Sequence, residues 1–128
     1  MRMLLQRGSA NPTVTILGMT FKENVPDIRN TKVVDIVLAL SKVGIAVQVH
    51  DPIALPEEAA HEYQITLTPF DRLKPADAVI LAVAHRDYVS GGWPLIGGLL
   101  KGGQGVVLDV KSKLDRAQRP KEIDLWRL

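Results

Sequence analysis

"TVTILGMTFKENVPDIRNTKVVDIVLALSKVGIAVQVHDP", Thr13 to Pro52, changes apolar period twice, and those changes decide the fold. Thr13–Leu17 is short, β-branched and stopped by Gly18, the pattern of a buried strand. Beyond a dense polar loop, Val33, Val34, Ile36, Val37, Leu38, Leu40 and Val43 recur at helical spacing, with Thr31 placed to cap the start and Gly44 to close the end. Ile45–Asp51 returns to strand character, and Pro52 bars its continuation. Strand, helix and strand in so short a span form a βαβ unit with a right-handed crossover.

Outward from this unit the alternation repeats. Leu55–Tyr63 is expected to be a short helix with Glu57 and Glu58 in a solvated first turn, and Ile65–Leu67 a brief third strand. Ala78–Ala84, "AVILAVA", lacks polar alternation, as a central strand covered on both faces should. A short helix is expected from about Pro94 to Leu100, then a buried strand over Gly105–Val110 and an edge strand in "IDLWRL", Ile123–Leu128. "GGQGVV" precedes a strand and lacks a third glycine, so it reads as a turn and not a dinucleotide fingerprint. The fold class is therefore α/β: a single domain with a doubly wound, mostly parallel, Rossmann-like sheet and helices on both faces. Residues 1–12 read as the end of an interdomain helix and a linker, leaving 13–128 as the domain of a chain that begins partway through a larger protein. The apolar Met3–Leu5 fit that helix.

The 128 residues carry a net charge of +2, with basic residues scattered and not striped, so nothing calls for a nucleic acid. The absence of cysteine excludes disulfides, thiolate metal sites and thiol nucleophiles from this chain. Its apolar runs fall far short of the roughly 20 residues of a membrane helix, and the first residues do not lead into a signal-type segment. A cytoplasmic domain is expected, with no membrane partner.

In open parallel sheets, ligands settle beyond the carboxyl ends of the strands, where strand order reverses. That rule picks out Gly18–Asn30, "HDP" at 50–52, "AHRDY" at 84–88 and "DVKSKLD" at 109–115. Lys22, His85, Arg86 and Lys111 gather there, and an anionic ligand is their natural guest. The first loop has two readings. Asp27 and Arg29 can pair to brace a solvated loop. Alternatively Gly18 permits close backbone approach, Phe21 offers an apolar face, Lys22 a point charge and Arg29 a fork for phosphate oxygens, on a segment stiffened by Pro26. His85 with Asp87 invites an acid–base reading, but three histidines without ligand spacing favour a loop histidine near a pocket and no metal. Asp51 reads as the cap of the turn through Pro52, and Trp93 and Trp126 as core or interdomain packing.

"GMTFKENVPDIRNTKVVDIV", followed in order by "VHDP", "ADAVILAVAH" and "LDVKSKLDR", resembles the carboxy-terminal UDP-binding domain of the UDP-glucose and GDP-mannose dehydrogenase family. The likeness covers nearly the whole chain, and the loop is most similar to the branch acting on UDP-N-acetylhexosamines. The resemblance implies an enzyme that uses NAD twice to turn the sugar's C6 alcohol into a carboxylate, with a cysteine and a glycine-rich fingerprint that lie outside this chain. No catalytic residue is then expected here, and the fragment alone is inactive. By the same resemblance Phe21, Lys22, Lys111 and Ser112 contact the UDP-sugar, while Arg29, held by Asp27, reaches toward NAD bound mainly by the missing amino-terminal domain. Some members have an arginine pair where this sequence has Lys111-Ser112, and lysine makes no bidentate contact. UDP-N-acetylglucosamine, its galacto epimer and UDP-glucose all fit, and the full-length protein is expected to be a homodimer. The competing reading is a stand-alone doubly wound binding or regulatory domain for another anion or a protein partner.

Overall fold

A computed structural model of the chain describes residues 12–20, 24, 28 and 31–127. Among them, five strands form one sheet: β1 (Thr13–Leu17), β2 (Ala46–His50), β3 (Ala78–Leu81), β4 (Gly105–Asp109) and β5 (Ile123–Arg127). The order is β2-β1-β3-β4-β5, and every pair is parallel. Three α-helices, α1 (Val33–Lys42), α2 (Pro56–Tyr63) and α3 (Arg86–Gly98), connect the first four strands. Successive side chains of a strand face opposite sides, so β1 supplies two cores. Val14 and Ile16 join Val33, Leu40, Val49 and Ala59 on the α1–α2 face, whereas Leu17 joins Leu81, Tyr88, Trp93, Ile96 and Val107 under α3. The sheet is doubly wound, as expected.

Helix α1 forms despite its valines because Val33 and Leu40, one heptad apart, are buried while Val34, Ile36 and Val37 pack beside them. Thr31 Oγ1 accepts from Val33 N–H (3.2 Å) at its start. Its end is a Schellman turn: Gly44, at φ 82°, donates to Ser41 O (3.1 Å), and Ile45 donates to Leu40 O (3.2 Å). Both sequence-assigned caps are therefore in use.

Two expectations need correction. Ile65–Leu67 is not a strand; Leu67 makes one parallel bridge to Val49, and Thr68 N–H donates to Val49 O. Beyond it the Gln48 amide brackets the Lys74 backbone, donating to Lys74 O and accepting from Lys74 N, which closes the β2 edge. The helix expected from Pro94 begins at Arg86 and breaks at Gly92 (φ 56°, ψ −149°), so the last three residues of "AHRDY" open a helix. Trp93 is buried and donates from Nε1 to Asp115 O (2.7 Å), whereas Trp126, on the β5 edge, is 52% exposed, which leaves interdomain packing of the two roles expected for it. No helix among the described residues is long and apolar enough to cross a membrane.

Candidate functional site

β1 leads through α1 to β2 on one side, and β3 leads through α3 to β4 on the other, so strand order reverses between β1 and β3. The two chains leave the sheet there in contact. Leu17 O accepts from Ala82 N–H (3.0 Å) and Val83 N–H (3.2 Å), and Gly18 follows at φ 99°. A Cβ on Gly18 would stand 2.6 Å from Val83 Cβ and 2.9 Å from Val83 N. The close approach expected of Gly18 is thus to β3's exit.

Asp51, just past β2, organises what comes next. Its Oδ1 accepts from Ile53 N–H and Ala54 N–H (2.8 Å each), the turn cap expected from the sequence. Its Oδ2 accepts from Met19 N–H (2.6 Å), Thr20 N–H (3.2 Å) and His85 Nε2 (2.8 Å). Burial alone would raise its pKa, but His85 and the backbone N–H groups of Met19, Ala54 and Ile53 prevail and hold the carboxyl well below the usual range. A buried carboxylate results, with its charge spread over fixed donors.

His85, the residue before α3, is a loop histidine between two residues that line a cavity, as expected, but it is fully buried. Its Nδ1 accepts from Asn24 N–H (2.9 Å), which leaves the ring proton on Nε2, facing Asp51 with Thr20 Oγ1 at 3.0 Å. Neither nitrogen is open for proton transfer to a ligand, so the pair braces the site. Asn24, at φ 63°, also accepts on Oδ1 from Arg86 N–H (2.9 Å), capping α3 from a distant loop. The residues on either side of 21–23 therefore meet one imidazole from its two nitrogens. Farther along, buried Ile28 offers its carbonyl to Tyr63 Oη (2.9 Å), tying the loop to α2. Phe21, Lys22, Asp27 and Arg29 lie outside the described residues.

At the same edge, Tyr88 Oη donates to His50 O (3.0 Å) and receives His50 Nδ1–H at 2.7 Å. Burial lowers the His50 pKa against the opposing pull of Asp51 and Asp87, while burial, then Asp51 and Asp87, drives the Tyr88 phenol far above its ordinary value. A cavity of about 260 Å³ opens beside them, lined by His50, Pro52, Phe70, Asp87, Tyr88 and Leu95. A second cavity, of about 280 Å³, is lined by Asn24, Ala84, Arg86, Val89, Ser90 and Lys113.

Past β4, buried Asp109 accepts from Leu114 N–H on Oδ2 (2.8 Å), and its Oδ1 has no partner. This bond folds back the turn that exposes Lys111 and Ser112, the latter at φ 55°. Sequence reasoning passed over Thr20, Asn24 and Asp109. Only Asp109 left a signal, as an acid at the end of an otherwise apolar strand. Among the described residues no three His, Cys, Asp or Glu side chains stand together as a metal site.

The geometry can be set beside known proteins. Residues 15–116 match the UDP-glucose/GDP-mannose dehydrogenase family, UDP binding domain. The chain is 46% identical over 102 residues to a UDP-N-acetyl-D-glucosamine 6-dehydrogenase of Pseudomonas aeruginosa, covering 80% of this chain and 24% of that protein. It is 40% identical over 116 residues to Protein CapL of Staphylococcus aureus, covering 91% and 27%. The chain thus spans about a quarter of the length of these curated relatives. Among solved structures, an NDP-N-acetyl-D-galactosaminuronic acid dehydrogenase from Methanosarcina mazei Go1 shares the fold, with a TM-score of 0.79 at 21% identity over 97% of this chain and 26% of that one. A match that starts inside β1 and runs past the β4 turn takes in every contact around Asp51 and His85, and on it the chain belongs to the UDP-glucose/GDP-mannose dehydrogenase family, as its UDP binding domain.

Proposed function

We propose that this domain holds the nucleotide-sugar for an NAD-dependent UDP-sugar 6-dehydrogenase, which oxidises the C6 alcohol to a carboxylate in two steps and supplies polysaccharide precursors in the cytoplasm. The observation that carries the reading is the buried Asp51–His85 brace, which fixes Met19, Thr20 and Asn24 at the reversal of strand order. Such a brace suits a loop that must present side chains to a ligand in one geometry. Phe21 and Lys22, with Lys111 and Ser112 from the turn after β4, would meet the UDP-sugar, and Arg29, aimed by Asp27, would meet the cofactor. The naming of relatives favours a UDP-N-acetylhexosamine as the sugar. Family membership supports this reading over a self-sufficient regulatory domain. Residues 13–128 would form the binding domain and residues 1–12 the join to the rest of a homodimeric protein.

NAD does not fit a site among the described residues. A dinucleotide cradle sets a helix N-terminus directly after the first strand, whereas here Gly18–Lys32 separates β1 from α1. The space beside Gly18 is filled by Val83. The cofactor would therefore be held mainly by the portion of the protein beyond this chain, with Arg29 reaching toward it, and this domain's task is to bind and orient. Calorimetric titration of the chain with UDP, UDP-sugars and NAD, each alone, tests the assignment. UDP and its sugars should bind with a Kd of order 1 mM, because half of the pocket's contacts are lacking. NAD should neither bind nor be reduced, and NAD binding tighter than UDP would sink the reading.

A further inference from the structure

The second cavity is lined by donors from three separate segments. Asn24 follows β1, Arg86 and Ser90 lie in the opening turns of α3, and Lys113 sits in the turn after β4. Ala84 and Val89 complete the wall among the described residues, none of which brings a carboxylate to it. Asn24 Oδ1 is already committed to Arg86 N–H, which leaves the amide NH₂ as its free polar end. The ion pairs among the described residues are His61–Glu62, His85–Asp51 and Lys101–Asp77, and none involves Arg86 or Lys113. Among the described residues, the acids near it in sequence are otherwise occupied or turned elsewhere. Asp87 lines the other cavity, Asp109 is buried beneath the turn, and Asp115 Oδ1 accepts from Ala117 N–H. Two exposed cations are ordinarily just solvated. Here they converge on one concave site, beside uncharged donors and at the carboxyl edge where ligands of this architecture settle. Their mutual repulsion is relieved by an anion between them.

We infer that Arg86 and Lys113, with Ser90 and Asn24, form a phosphate-binding subsite. An oxyanion with several acceptor oxygens suits donors arriving from different directions, and the guanidinium can take two of those oxygens at once. Resting on the nucleotide-sugar reading above, its guest is the diphosphate of the UDP-sugar, although a dinucleotide carries the same group. The subsite adds Lys113 to the cations expected from the sequence, where Arg86 stood only as part of a basic edge.

The test is an NMR titration of the chain with pyrophosphate, UDP, uridine and NAD in turn. Pyrophosphate and UDP should shift the amides of Ala84, Arg86, Ser90 and Lys113, and uridine should not. The Arg86→Gln/Lys113→Gln double variant changes only exposed side chains, so it should remain folded. It should lose about ten-fold or more in UDP affinity, with the loss shrinking as salt is raised. Lys121→Gln, an equal change of charge at an exposed position before β5, should leave binding unaltered. UDP bound equally by the double variant, or bound with those amides unmoved, overturns the subsite and leaves the nucleotide reading standing. The subsite also falls if neither UDP nor pyrophosphate moves those amides. Shifts there from pyrophosphate, with UDP binding no tighter, or from NAD in preference to UDP, uphold the subsite and sink the nucleotide-sugar reading.

Discussion

Asp51 illustrates how a single carboxylate can set the conformation of a site it need not touch. Replacing it by asparagine keeps the shape but gives one end of the side chain two hydrogens, and both ends now face N–H donors: Ile53 and Ala54 on one side, Met19 and Thr20 on the other. Asp51→Asn should therefore cost about 3 kcal/mol of stability, the scale of breaking a buried charged network by removing one partner. His85→Ala should cost a comparable amount by orphaning the Asn24 amide, and the double variant should lose less than the sum, since the two share a bond. Urea unfolding checks this, and an Asp51→Asn chain within 0.5 kcal/mol of wild type, below the roughly 1 kcal/mol of an ordinary lost hydrogen bond, would refute it. In the full-length protein, Lys22→Ala should weaken UDP-sugar binding by roughly ten-fold or more, while Arg29→Ala acts mainly on NAD. Equal losses of UDP-sugar affinity in both would mark a single phosphate clamp instead. The sequence disclosed half of Asp51's role, the local half, because a turn cap reaches only two or three residues ahead. The partners on Oδ2 lie 31 to 34 positions away, and no local pattern encodes a bond between loops that meet only once the sheet has formed.

The strands and α1 are legible because each carries its own periodicity and its own stop. Thr13–Leu17 runs to a glycine, and α1 begins at a threonine cap and ends in a glycine turn. Helix α3 is legible only in its second half, since Arg86–Gly91 has little apolar period and its first N–H is capped by Asn24 from another loop. Ile65–Leu67 looks like a strand because its alternation is right, but it lies outside β2 and makes only a bridge. Two glycines that end elements offer a comparison at this scale. Gly44 has positive φ and nothing within 4 Å of the point where a Cβ would stand, so Gly44→Ala should cost only the backbone strain, about 1 kcal/mol. Gly18 has positive φ and Val83 in the way, so Gly18→Ala should cost roughly 3 kcal/mol or more, and should also disturb amides of Val83 and Thr20 in NMR spectra. Equal costs for the two variants would mean that β1 and β3 can part without penalty.

Across the whole molecule, the groups buried at the carboxyl edge give stability a predictable dependence on pH. His50 has its pKa lowered by burial from an ordinary value near 6.5, so the unfolded chain binds a proton that the folded one refuses as pH falls below that value. Stability then declines on acidification, starting between about pH 7 and 6. Asp51 acts in the same direction lower down. Its folded pKa is depressed, so its contribution is complete above the unfolded value near 3.8 and is lost as pH falls further. Tyr88 sets the other limb, because its phenol is held protonated in the fold while the unfolded phenol ionises near pH 10, so stability falls as pH rises past that point. The urea midpoint should accordingly plateau between roughly pH 7 and 9.5 and drop on both sides. Variants separate the limbs. Tyr88→Phe should flatten the alkaline limb, although it lowers the plateau by breaking the link to His50. His50→Gln should remove the shallow decline between about pH 7 and 5 and leave the steep loss below about pH 4, which belongs to Asp51. An alkaline limb unchanged in Tyr88→Phe would show that this phenol is free to ionise in the fold, and that the chains leaving β1 and β2 open to solvent at their ends before the protein unfolds.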